Sequence, residues 1–329
     1  MSGGRPRPRL VADIGATNAR FALQRPGGRP EAPVVLPVAE HGDIEAAVRA
    51  ALALAGSEAE PVFAALAVAA PVLGDRVEMT NHPWCFSREA LRRALGLERL
   101  LVVNDFTAIA LSLPRLGKRE RRQVGGGKPA PRAPFAVLGP GTGLGVSGLL
   151  PTADGWAPLA GEGGHIDLAP GDERELAILE RLRRRFDHVS LERVLSGPGL
   201  VNLYRALAEI AGEAPADAGT PSAEEITARA RAGTCRLCKA AVEAFCGLLG
   251  AAAGDLALTL GARGGVYIAG GIVPKLGPAF DADRFRRRFE AKGRFRAYLE
   301  PIPAYVVTAG APALLGLASL LDDADATGA

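Results

Sequence analysis

Five polar side chains stand in surroundings that are otherwise apolar or glycine-rich. Asn104 and Asp105 interrupt "LVVNDFTAIA", where Leu101, Val102 and Val103 read as a buried strand and an apolar helix is expected from Thr107. Glu162 and His165 lie in "GEGGH", and Glu192 lies in "SLERVLSG" near the expected start of a helix. In α/β domains the ends of core strands and the loops beside them are where ligands are met. A carboxylate can accept from two hydroxyls at once, an amide both donates and accepts, and an imidazole does either. The set is therefore equipped to hold vicinal hydroxyls. Each member also has a plainer use: Asp105 as a helix cap, Glu192 as a favourable charge at a helix N-terminus, His165 as an ordinary loop histidine.

Two glycine turns add a different chemistry. "ADIGATN" supplies Ala12, Asp13, Ile14, Gly15, Ala16, Thr17 and Asn18, and "GPGTGLG" supplies Gly139, Gly141, Thr142, Gly143 and Gly145. Glycines let backbone amides converge on an anion, and threonine hydroxyls add donors. Neither turn ends in the GK[ST] of a Walker A loop. "GPGTGLG" misses the third glycine of the dinucleotide fingerprint and runs into strand-like "VSGLL", where that fold needs a helix. A single such turn is most simply a tight hairpin. Two matched ones, each carrying Thr and one led by a carboxylate, point to phosphate.

The elements that must position these groups form two α/β regions. A chain of 329 residues is long for one core and suits two, and 48% hydrophobic with 23% charged residues describes a folded globular protein. "RLVADIGATNARFAL" and "FAVLGPGTGLGVSGLL" share one plan: apolar strand, glycine turn, apolar strand. Between them, "LPRLGKRERRQVGGGKPAPRAP" is a charged, Gly/Pro-rich passage expected to run over the surface between domains. "SLERVLSGPGLVNLYRALAEIAG" reads as two helices split at Gly197-Pro198, and "YIAGGIV" as a strand ending in Gly270 and Gly271.

Composition excludes several classes. A net charge of +3 leaves no electrostatic footprint for nucleic acid. No run reaches the roughly 18 uninterrupted apolar residues of a membrane span. The nearest, "AAVEAFCGLLGAAAGDLALTLGA", holds Glu243 and Asp255 and is expected as a packed helix. The basic "GRPRPR" has no apolar stretch after it, so no secretory signal is expected. Four cysteines fit a cytoplasmic enzyme with reduced thiols. "CRLC", Cys235 to Cys238, lacks the second ligand pair that zinc needs, so packed helical thiols are the better expectation.

On "ADIGATNARFAL", "MTNHPWCFS", "VVNDFTAIALSLP", "GPGTGLGV", "GEGGHIDLAP", "ERVLSGPGLVNLYRAL" and "YIAGGIVP" the chain resembles bacterial glucokinase, the ATP-dependent type of the hexokinase–actin–heat-shock chaperone superfamily. These motifs run in order from Ala12 to Pro274. One departure is Ala16, where the wider superfamily has a second glycine; an alanine fits if its φ is ordinary. The cysteine-rich zinc motif of the repressor-type sugar kinases is missing, as is a helix-turn-helix extension.

The resemblance implies an α/β, actin-like (ribonuclease H-like) two-domain fold with an active site in the cleft. The small domain would be 8–115 plus 306–329, the large one 116–305, and residues 1–7 a disordered tail. It implies glucose and ATP as substrates, Mg²⁺ held through water near Asp13, and a homodimer, with no nucleic acid or membrane partner. Asn104, Asp105, Glu162, His165 and Glu192 match the family's sugar-binding positions, with Asp105 as general base. Ala12 to Thr17 match its first phosphate loop, Gly139 to Gly143 its second, and Gly270 and Gly271 its adenosine loop. A broader-specificity hexokinase, a non-catalytic sugar sensor and an actin-like ATPase remain alternatives on the same fold. The last leaves "GEGGH" and "LERVLSG" without a purpose.

Overall fold

The computed structural model describes residues 7–56, 61–80, 82–213 and 219–327. Of the tail expected over residues 1–7, all but Arg7 lies outside these. The chain forms two compact units. One runs to Leu116 and resumes at Ala309, and the other is Gly117–Thr308.

The first unit is built on β1 (Arg9–Ile14), β2 (Asn18–Gln24), β3 (Val34–Pro37), α1 (Ile44–Leu54), β4 (Phe63–Val68), β5 (Arg76–Glu78), β6 (Cys85–Ser87), α2 (Arg88–Ala94), β7 (Arg99–Asn104) and α3 (Asp105–Ser112). Its sheet has the order β3-β2-β1-β4-β7. The strands β1 and β2 form an antiparallel hairpin, while β1, β4 and β7 run parallel. "FAALAV" of β4 is apolar throughout because both faces of a central parallel strand are covered.

One cover is the C-terminal helix, Pro312–Thr327. Its Ala313, Leu314, Leu317 and Leu321 share a core with Val11, Ala65, Ala67 and Ala108. Asp322 fixes it from the far side, accepting from Arg9 at 2.8 Å, Arg115 at 2.9 Å and the Gly27 amide at 2.9 Å. Burial works against that carboxylate, yet these bonds hold its pKa below the ordinary value. The same helix packs on α3, whose first residue is Asp105.

The second unit holds β8 (Arg121–Val124), β9 (Phe135–Pro140), β10 (Leu144–Pro151), β11 (Trp156–Gly161), α4 (Glu173–Arg183), α5 (Gly197–Ile210), α6 (Ala223–Ala232), α7 (Arg236–Leu260), β12 (Gly265–Ile268), α8 (Ile272–Leu276), α9 (Ala282–Glu290), α10 (Arg296–Leu299) and β13 (Ala304–Val307). Its sheet order is β11-β10-β9-β12-β13-β8. Three antiparallel strands followed by two parallel ones repeat the plan of the first sheet, so the echo between the two glycine hairpins is a duplication of topology.

Three local expectations change. The charged passage after α3 is not all surface excursion: β8 within it pairs with β13 at the sheet edge, where charged side chains are tolerated. Gly197-Pro198 does not divide two helices. It opens the single helix α5, where proline at the first turn forfeits no hydrogen bond, and Ser196 caps it through Gly199 N at 2.9 Å. The stretch before it holds only a 3₁₀ turn, Leu191–Arg193. Among the described helices α7 is the one long and apolar enough to cross a membrane, and it is mostly buried in its own unit.

Candidate active site

In the first unit the registers place the expected residues at one end of one sheet. Ile14 pairs with Val68, and Val68 with Asn104. The glycine turn after β1 and the start of α3 after β7 therefore leave from the same edge, two strands apart, about 10 Å at the usual strand spacing. Asn104, not Asp105, is the helix cap: its Oδ1 accepts from Phe106 N at 2.9 Å and Thr107 N at 3.3 Å, and its Nδ2 donates to Ala70 O at 3.4 Å. The helix thus begins at Asp105 rather than Thr107. Asp105 is half-buried, and its Oδ1 accepts from Phe106 N at 2.9 Å.

Of the stretch expected as the first phosphate loop, Ala12, Asp13 and Ile14 belong to β1 and only Gly15, Ala16 and Thr17 form the turn, closed by Gly15 N on Asn18 O at 3.1 Å. Arg132 is the one described non-glycine residue with positive φ, so Ala16 sits in ordinary backbone and its methyl costs no strain. Asp13 faces Arg20 across the hairpin, with 3.7 Å between Oδ2 and Nη1. Burial pushes the Asp13 carboxyl up, and Arg20 only partly offsets it. This under-compensated carboxylate suits a cation. No three acidic, histidine or cysteine groups converge as a metal site among the described residues. A divalent ion here would therefore take most of its ligands from phosphate and water.

In the second unit "GEGGH" and "LERVLSG" are brought together. Glu162 heads the 3₁₀ turn Gly163–His165 without a side-chain capping bond. Leu191 N donates to Ile166 O and Leu168 N to Val189 O, both at 2.9 Å, which lays the two loops side by side. Glu162 and His165 are exposed, and Glu192 is half-buried. Glu192 reaches the second glycine turn: its Oε2 accepts from Leu144 N at 2.8 Å. A methyl added at Gly143 would stand 2.5 Å from that oxygen, so the turn has room for Glu192 only because residue 143 is glycine.

Gly139 proves to be a buried strand residue paired with Gly145; the turn itself is Gly141, Thr142 and Gly143, closed by Gly141 N on Gly143 O at 2.8 Å. Gly270, at φ +80°, presses its backbone against β9: a Cβ there would lie 2.4 Å from Pro140 O. Beside these loops is a cavity of about 730 Å³, walled by Thr142, Gly197, Thr227, Arg231, Gly271 and Lys275 among others. That volume suits a small-molecule ligand. The N-terminus of α5 faces the turn, Gly197 N donating to Gly141 O at 2.8 Å, and a helix start favours anions. Thr227, Arg231 and Lys275 went unnoticed in sequence. The capping box Ser222–Glu225 announces α6, but nothing local says which of its faces lines a cavity.

The duplicated sheets and paired glycine hairpins give two α/β units of the actin-like kind. Comparison with known proteins agrees. The profile of the family described as Glucokinase matches residues 10–324. A glucokinase of Aromatoleum aromaticum is 56% identical over 318 residues, 96% of this chain and 95% of its own. One from Chromobacterium violaceum is 54% identical, over 98% and 92%. The crystal structure of glucokinase from an Antarctic psychrotroph superposes with a TM-score of 0.87 at 38% identity, over 96% of this chain and 99% of that one. The chain belongs to the glucokinase family.

Proposed function

We propose that the chain transfers the γ-phosphoryl group of ATP to the 6-hydroxyl of D-glucose, with Asp105 as general base. Membership of the glucokinase family supports the reaction. The observation that carries the chemical assignment is the end of the first sheet, where a half-buried carboxylate at the start of α3 stands two strands from a phosphate-type glycine turn.

Phosphoryl transfer to an alcohol needs positioning and charge stabilisation more than covalent help. Asp105 takes the proton of the 6-hydroxyl as the oxygen bonds to phosphorus and ADP departs, and then returns it to water. A carboxylate is a weak base, but it acts only once that oxygen has begun to lose electron density. Glu162, His165 and Glu192 accept from the remaining hydroxyls, and Asn104 adds an amide. A sugar lacking one of those hydroxyls leaves a polar group unpaired, which is a strong source of selectivity. The turns Gly15–Thr17 and Gly141–Gly143 cradle the phosphates, and the cavity beside α5 and α6 takes the rest of the nucleotide. Mg²⁺, when bound, neutralises phosphate charge, with Asp13 as the carboxylate to hold it through water. The family resemblance adds a cytoplasmic homodimer; light scattering of the purified chain tests the dimer.

A coupled assay of ADP release tests the reaction. Turnover should be high with glucose, lower with mannose or fructose, and near background without sugar. Equal ADP release with and without glucose would replace the kinase by an ATPase on the same fold.

The contact between Glu192 and the phosphate turn yields a second expectation. Gly143→Ala should displace the Glu192 carboxylate and with it the bond from Leu144 N, at a cost to the fold of about 0.5–1.5 kcal/mol. If Glu192 holds a hydroxyl, this variant loses roughly tenfold in glucose affinity even with no nucleotide present. Calorimetric titration of glucose alone reads it, and an unchanged dissociation constant would detach Glu192 from the sugar.

A further inference from the structure

We propose that Cys235 and Cys238 form a redox-active dithiol that exchanges with small disulfides such as oxidised glutathione. Cys235 is not inside a helix; it is the N-cap of the 25-residue α7, and its Sγ accepts from Cys238 N at 3.3 Å. It is partly exposed, whereas Cys238 is fully buried behind it. The Cys235 Sγ already lies against the Cys238 amide, and a disulfide needs Cβ atoms about 3.8 Å apart. Closing the bridge therefore asks for a small local movement.

The two thiols are made unequal. Burial alone would push the Cys235 thiol up. The Cys238 thiol, the amides of Cys238 and Leu237 and the Arg229 guanidinium together hold it below the ordinary value. The helix N-terminus favours the same thiolate. Burial, then the bond it donates to Cys235, pushes Cys238 up to about 12. An accessible thiolate beside a buried thiol is the arrangement of attacking and resolving cysteines. The other two cysteines provide controls: Cys85 is exposed without this setting, and Cys246 is buried.

The steps balance. The Cys235 thiolate attacks one sulfur of the disulfide, forming a mixed disulfide and releasing one thiol. Cys238, losing its proton to solvent, then attacks Cys235 Sγ and expels the second thiol. Two protein thiols are oxidised and one small disulfide is reduced to two thiols, which carry away the two protons.

The reduced full-length protein, exposed to oxidised glutathione and mapped by alkylation and mass spectrometry, tests this. Cys235 should react about tenfold or more faster than Cys85 at neutral pH. The product should be a Cys235–Cys238 disulfide that reduced dithiothreitol reverses. Cys238→Ser should stop at a glutathione adduct on Cys235, and Cys235→Ser, whose hydroxyl still caps α7, should leave Cys238 unreacted. Kinase activity of both variants reports that they fold. Reaction at Cys85 ahead of Cys235, or a wild-type adduct on Cys235 that never closes, would overturn the proposal, and these wild-type results decide it even if a variant misfolds.

Discussion

Asp105→Asn is expected to cut turnover by about 10²–10⁴-fold, the usual size of a lost general base, while leaving glucose affinity within a few-fold of wild type. The substitution is nearly isosteric. The bond that Asp105 Oδ1 accepts from Phe106 N at 2.9 Å can be kept by an amide oxygen, and the cap of α3 is Asn104, which is untouched. Stability should therefore fall by no more than the first-turn charge contributes, about 0.3–1 kcal/mol. What changes is the ability to take a proton. The loss should appear in kcat and in kcat/KM alike, because the interaction belongs to the transition state. Steady-state kinetics beside a thermal melt and a glucose titration separate these terms. Turnover above half of wild type would remove Asp105 from the role of base.

Glu162→Ala and Glu192→Ala should each raise the glucose dissociation constant by roughly ten- to a hundredfold. A charge-assisted hydrogen bond to a sequestered hydroxyl is worth about 1.5–3 kcal/mol, and each 1.4 kcal/mol is a factor of about ten. The structure sharpens the contrast with a purely structural role. Neither side chain caps an α-helix: Glu162 heads a 3₁₀ turn with no side-chain capping bond, and Glu192 lies in a 3₁₀ turn ahead of Ser196, the residue that caps α5. Glu162→Ala should thus leave the melting temperature nearly unchanged. Glu192→Ala gives up the bond to Leu144 N, worth about 0.5–1.5 kcal/mol. Glu192→Gln, which keeps an acceptor for that amide, should restore stability and only part of the sugar affinity. Wild-type affinity in both alanine variants would leave Asn104, Asp105 and His165 as the proposed sugar ligands.

Much of this protein was legible along the chain because it is written in local patterns. The two glycine hairpins, the apolar β4 and β7, and the long apolar α7 all follow from periodicity and turn chemistry over windows of ten to twenty residues. So does the placing of Asn104 and Asp105 at a strand end, since an apolar run that stops at two polar residues marks its own boundary. Which of the two caps α3 was beyond local reasoning, because either side chain can accept the bond; the backbone at Asn104 took the extended cap conformation, and Asp105 became the first helical residue. Tertiary structure alone brought Glu192 onto Leu144, 48 positions away, and assembled a cavity from the turn at Thr142, the start of α5, one face of α6 and Lys275 of α8. Such contacts leave no signature in sequence. They arise when the strands of a sheet, ordered β11-β10-β9-β12-β13-β8, set distant loops against one another. The two cysteines divide the same way: their spacing was plain, but only the helix start beneath Cys235 and the burial of Cys238 made them chemically different.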